Sequence, residues 1–121
     1  MNKGKKISGG KYKKARKKRK HELPGHQRNV ILGERKTKTI RVTGGKKKVV
    51  LLSENKMNLI VNGKAKVTKI KNVLETPSNR FLARRNILVK GAIVETELGK
   101  ARITNRPSQE AQVQGVLLEK E

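Results

Sequence analysis

Apolar positions are sparse up to residue 48 and dense after it, so the chain reads as two unlike parts. Val49-Val50-Leu51-Leu52 is a continuous apolar run of strand length, and Met57-Asn58-Leu59-Ile60-Val61 follows it closely. Asn62-Gly63 is the pair that best tolerates positive φ at both central positions of a type I′ turn. Lys64 to Ile70 is therefore predicted to return antiparallel. A second hairpin is predicted from Ala92 to Glu97 and from Lys100 to Thr104, turning at Leu98-Gly99. That register faces Glu97 with Lys100, Glu95 with Arg102 and Val94 with Ile103, two opposite-charge pairs and one apolar pair. Leu-Gly is not the ideal two-residue order, so a longer turn with a bulge also fits.

Between the hairpins, Thr76 as N-cap and Pro77 as first helical residue predict one or two helical turns. On those turns Arg80 and Arg84 share a face with Arg85 beside them, while Phe81 and Leu82 turn toward the core. Val113 to Glu119 reads as a last strand. The fold class expected is mainly β. It consists of a small antiparallel β-barrel-like domain over 49–121 with one short helical turn, behind a long basic N-terminal extension over 1–48.

Charge sharpens this division. The chain holds 32 Lys and Arg against 9 Asp and Glu, a formal net charge of +23. Residues 1–48 carry 19 of those cations against Glu22 and Glu34 alone, and residues 49–121 carry 13 against seven acids. Such density opposes compaction unless a polyanion neutralises it, so the expected partner is anionic. Eight of the ten residues from Lys11 to Lys20 are basic and nothing apolar there is expected to bury and offset the ordering entropy, so this stretch is expected to be disordered when free. No apolar run of about 18 residues occurs, so no membrane span is expected. The first twenty residues hold eleven Lys or Arg, unlike a secretory signal. The absence of cysteine leaves no disulfide framework and no thiolate metal site.

Several short motifs stand in a fixed order. They are Ser8-Gly9-Gly10-Lys11, Lys17-Lys18-Arg19-Lys20-His21-Glu22-Leu23 and Arg41-Val42-Thr43-Gly44-Gly45-Lys46-Lys47-Lys48, then Pro77-Ser78-Asn79-Arg80, Arg84-Arg85-Asn86, Lys90 to Glu97, Gly99 to Arg102, and Arg106-Pro107. In order and spacing they resemble the eighth small-subunit ribosomal protein family of the archaeal and eukaryotic type, in its short archaeal form. The resemblance spans nearly the whole chain. It implies a β-rich domain with a basic N-terminal extension, bound to small-subunit rRNA among neighbouring ribosomal proteins in the cytoplasmic ribosome. It also implies no catalytic activity, no cofactor and no small-molecule substrate.

Read for RNA contact, the candidates in the arm are Lys11, Tyr12, Lys13, Lys14, Arg16, Lys17, Lys18, Arg19, Lys20 and His21, then Arg28, Arg35, Lys36 and Arg41, then Lys46, Lys47 and Lys48. In the domain they are Arg80, Arg84, Arg85 and Arg106. Each cation on a phosphate releases counterions, which gives affinity that falls with salt and reads little sequence. Arginine adds a forked contact and can stack on a base. The glycine pairs at 9–10 and 44–45 let backbone N–H groups approach a phosphate. Tyr12 and Phe81 are the only aromatics, and Phe81 is expected in the core, so recognition is expected to rest on phosphates, 2′-hydroxyls and RNA shape. Every Gly-Lys pair lacks the earlier glycine of a phosphate-binding loop. His21 and His26, with Glu22 nearby, form neither a zinc site nor an acid–base pair, so neither a metal nor an enzymatic role is expected. The alternative is a basic chromatin-type DNA-binding protein, which would share the tail, although no helix-turn-helix pattern is present.

Overall fold

The first buried residue among those described is Val30, well before the boundary expected at residue 48. The structure is a computed structural model and describes residues 4–13 and 15–118. Strands β1 (Ile31–Leu32), β2 (Lys36–Arg41) and β3 (Lys47–Glu54) form a three-stranded sheet in the order β1-β3-β2. β1 runs parallel to β3, and β2 runs antiparallel to it. The end of the segment expected to be an extended arm, from Ile31 on, therefore contributes two strands and the start of a third. The apolar run in β3 recruits it: Lys-Thr-Lys-Thr-Ile in β2 has no apolar face to announce a strand, but its β-branched residues fit a pleated surface once β3 supplies the partner.

Five further strands close into a barrel: β4 (Lys56–Val61), β5 (Lys64–Glu75), β6 (Ile93–Thr96), β7 (Gly99–Ile103) and β8 (Gln114–Leu117). Neighbours in sequence pair antiparallel, and a parallel β4–β8 pair closes the ring. β5 is long enough to wrap the wall because its register shifts twice, at Ile70/Asn72 and at Val73/Glu75; such bulges bend a strand. Inward positions alternate as the pleat requires. Met57 and Leu59 on β4, Val94 on β6, and Ala101 and Ile103 on β7 are buried, while Lys56, Lys100 and Arg102 point out. At Gly115 a Cβ would lie 2.7 Å from the Arg102 carbonyl oxygen and collide with the Met57 side chain, so only glycine lets β8 approach this closely.

The first hairpin has the predicted turn. Val61 pairs with Lys64, and Asn62 and Gly63 take φ of 49° and 76°. The second hairpin turns one position earlier than expected, at Glu97-Leu98, which moves every cross-strand partner by two residues: Thr96 pairs with Gly99, Glu95 with Lys100 rather than Arg102, and Val94 with Ala101 rather than Ile103. Two local features select it. Gly99 takes the positive φ of 131°, and the Thr96 hydroxyl donates to the Gly99 carbonyl at 2.7 Å while accepting from the Leu98 N–H at 3.3 Å. Val94 also then meets a small buried alanine inside the barrel.

The helical turn α1 (Arg80–Arg84) starts later than expected. Asn79, not Thr76, is its N-cap, the amide oxygen accepting from the Phe81 N–H at 3.0 Å. Thr76 is buried in the turn before it, where its carbonyl accepts from the Asn79 N–H. Asn86 ends α1 in the left-handed region, with its N–H on Ala83 and the Ile87 N–H on Leu82, so that both exposed carbonyls are satisfied. The chain then pairs Ile87 with Ile31 and Leu88 with Val30, fastening the small sheet to the barrel.

Candidate nucleic-acid interface

From Gly4 to Asn29 no described residue is buried. Two local structures nevertheless interrupt this stretch. Lys5 and Lys11 form an antiparallel bridge around a turn in which the Lys6 N–H donates to Gly10 at 2.8 Å and the Gly9 N–H to Lys6 at 2.9 Å. Lys6 Nζ then sits 5.7 Å from the centre of the Tyr12 ring. Farther on, the Arg16 guanidinium forks onto Glu22, at 2.9 Å to Oε2 and 2.5 Å to Oε1. The same carboxylate accepts from the Arg19 N–H at 2.9 Å and closes a single 3-10 turn, Lys20–Glu22. Arg16 holds the Glu22 carboxyl below its ordinary range, the Arg19 N–H adding to this, and Glu22 raises Arg16 in return. His21 lies beside the pair, its Nε2 3.9 Å from Glu22.

The sequence candidates sort into three groups. Lys11, Tyr12, Lys13, Lys17, Lys18, Arg19, Lys20, Lys36, Arg41, Lys46 and Lys47 are exposed, whereas Lys14 lies outside the described residues. Others already have partners within the chain. Arg35 bonds the buried carboxylate of Glu54 at 2.9 Å and the Ala111 carbonyl at 3.1 Å, and Lys48 donates to Gln109 at 2.8 Å. These two contacts stitch the three-stranded sheet to the loop between β7 and β8, which carries an exposed Arg106. Arg28 is half-buried, and its Nε has no protein partner. The third group, Arg80, Arg84 and Arg85, stands exposed on and after α1.

Phe81 is not in the core. It is 59% exposed, with the Arg80 guanidinium 5.5 Å from its ring centre. The later helix start turns this position outward and leaves Leu82 and Ala83 partly buried instead. Both aromatics of the chain thus lie at the surface, Tyr12 being 51% exposed.

Register reveals charge crowding that composition alone does not locate. Lys5 opposes Lys11, Arg41 opposes Lys47 on β2 and β3, and Lys56 opposes Lys69 on β4 and β5. Directly opposed residues share a face, and like charges there weaken the ladder. Lys5, Lys56 and Lys69 are not among the candidates read from sequence, although the Asn62-Gly63 turn by itself sets Lys56 opposite Lys69. Among the described residues, the sole Lys and Arg within ion-pair distance of a carboxylate are Arg16 and Arg35. Such a surface is chemically suited to a polyanion and pairs poorly with itself.

Comparison with known proteins agrees. The family model described as ribosomal protein S8e matches residues 1–118. The chain is 48% identical over 115 residues to the small ribosomal subunit protein eS8 of Nanoarchaeum equitans, covering 93% of this chain and 91% of that protein. It is 41% identical over 116 residues to the protein of the same name from Methanocorpusculum labreanum, covering 94% and 93%. For that of Halorubrum lacusprofundi the identity is 40% over 114 residues, again covering 94% and 93%.

Proposed function

The chain belongs to the ribosomal protein S8e family, and from that premise we infer which of its surfaces meet small-subunit rRNA. It is a structural constituent of the small ribosomal subunit, part of the ribosome in the cytoplasm, and not an enzyme. It associates there with rRNA and ribosomal proteins. The observation that carries the finer reading is the set of exposed cations in residues 4–48 that lack a carboxylate partner among the described residues.

In this reading, Lys11 to Lys20 follows a groove between RNA helices, each cation neutralising a phosphate. The β2–β3 tip, with Arg41 opposite Lys47 and with Lys46 and Lys48 beside it, inserts as a second cationic prong. Arg80, Arg84 and Arg85 form a third patch. Tyr12 and Phe81 supply two faces on which an unstacked base can rest. Arg16 and Arg35 act mainly on the protein itself, the first shaping the arm and the second neutralising Glu54.

Crosslinking of the protein to small-subunit rRNA, followed by sequencing and peptide mapping, tests the assignment. Crosslinks are expected from 11–20, 41–48 and 80–85, with binding that weakens steeply as salt rises. Crosslinks confined to other segments, or equal competition by duplex DNA, would contradict it.

A further inference from the structure

The outward positions of β4 and β5 begin with two directly opposed lysines, Lys56 and Lys69, both exposed. Among the described residues no carboxylate lies within ion-pair distance of either ammonium. Glu97 hydrogen-bonds beside Lys69 through its backbone N–H, which donates to the Lys69 carbonyl. In the free protein this pair weakens the ladder, and an anion held between the two lysines turns that repulsion into attraction.

Next along the same outer face stand Asn58 and its cross-strand partner Val67. Lys56, Asn58 and Val67 line a cavity of about 480 Å³, whose other walls are Arg35, Glu54 and residues 110–113. Val67, 70% exposed, offers an aliphatic surface, and Asn58 and Gln112 carry amides that both donate and accept. Arg35 matches the charge of Glu54. Glu110 also lines the cavity, its carboxylate accepting from Asn105 at 2.8 Å; such a group repels phosphate but accepts from the amino groups of bases. Cationic and base-reading chemistry therefore meet in one concavity.

We propose that this is a nucleotide site on the barrel wall: Lys56 and Lys69 hold one RNA phosphate, and the attached unstacked nucleotide occupies the cavity over Val67. The site rests on the rRNA reading above and adds to it a contact outside the arm. Unstacked nucleotides are what proteins read in folded RNA, because the deep groove of an RNA helix hides its base edges.

Two full-length variants test it against transcribed small-subunit rRNA, with poly(U) as the non-specific probe. Lys69→Glu replaces the like pair with an opposite one, so the melting temperature of the free protein is expected to rise by about 1–5 °C. Its rRNA affinity is expected to fall about tenfold, as for loss of a charge-assisted contact. Val67→Lys adds a cation but fills the cavity. Affinity for poly(U) should then rise while rRNA affinity falls at least about threefold; a general charge effect would raise both. Unchanged rRNA affinity in Lys69→Glu, or tighter rRNA binding by Val67→Lys, overturns the site and leaves the ribosomal reading standing. Failure of the unaltered protein to bind the rRNA would overturn both.

Discussion

The stretch from Gly4 to Asn29 and the barrel carry cations in opposite ways. In the former no described residue is buried, and its shape comes from two small turns made by hydrogen bonds. On the barrel, cations such as Lys100 and Arg102 alternate with buried residues, so each charge has a place set by the core beneath it. The arm can therefore change charge without changing stability, whereas the barrel couples the two. The three-stranded sheet lies between these extremes, with Arg35 just before β2 held by Glu54 and Arg41 at the end of β2 without a carboxylate partner among the described residues.

The largest effect that would break this contrast is on affinity. Deleting residues 1–20 removes eleven cations and is expected to weaken rRNA binding by at least about a thousandfold at moderate salt, with a shallower salt slope. The melting temperature should not move. A comparable fall in melting temperature would mean that the arm packs on the fold.

In the opposite direction, Leu59→Ala removes a fully buried side chain from the barrel and is expected to destabilise by about 2–5 kcal/mol in urea unfolding. At temperatures where the variant is folded, its salt slope for RNA should match that of the parent, because every arm cation remains.

Arg35→Ala and Arg41→Ala sharpen the comparison within one segment. Loss of Arg35 leaves Glu54 buried without its counter-ion and is expected to cost about 2 kcal/mol of stability, a value discounted for the half-exposed guanidinium. Arg41→Ala should leave stability unchanged or slightly raised, since it relieves repulsion with Lys47, while weakening RNA binding. Equal melting temperatures in the two variants would remove the distinction.

The smallest effect concerns acid. Arg16 first, and then the Arg19 N–H, lower the Glu22 pKa from the ordinary 4.5, so the 16–22 turn is favoured above that value and is lost as pH falls through the depressed one. An NMR titration of the Glu22 carboxyl should show a midpoint below 4.5, with the Arg16 side-chain signals moving in step. Barrel amides should stay in place across the same range.

Legibility in the sequence followed locality. Asn62-Gly63 was readable because the turn depends on the two residues themselves. Opposite-charge pairing favours one register for the second hairpin, while Gly99 and the Thr96 hydroxyl impose another, with the turn one position earlier and each partner two residues away. The apolar neighbours of Phe81 predict a core position, but the cap at Asn79 turns it to the surface. Val49 to Leu52 was evident as a strand, yet its partners were not. It pairs outside the barrel with β1 and β2, neither of which has a strong pattern of its own.

Sequence by itself determined the anionic partner, the family, the β class and the chemistry of individual turns, because charge, motif order and backbone preference are properties of residues and short segments. Tertiary structure decided which cations remain available, that Arg35 is consumed by the buried Glu54, and that Arg41 stands against Lys47 across β2 and β3. Those outcomes depend on register and closure between distant segments. A shift of one residue reverses the face of every side chain in a strand, and no local pattern in β2 carried enough information to set it.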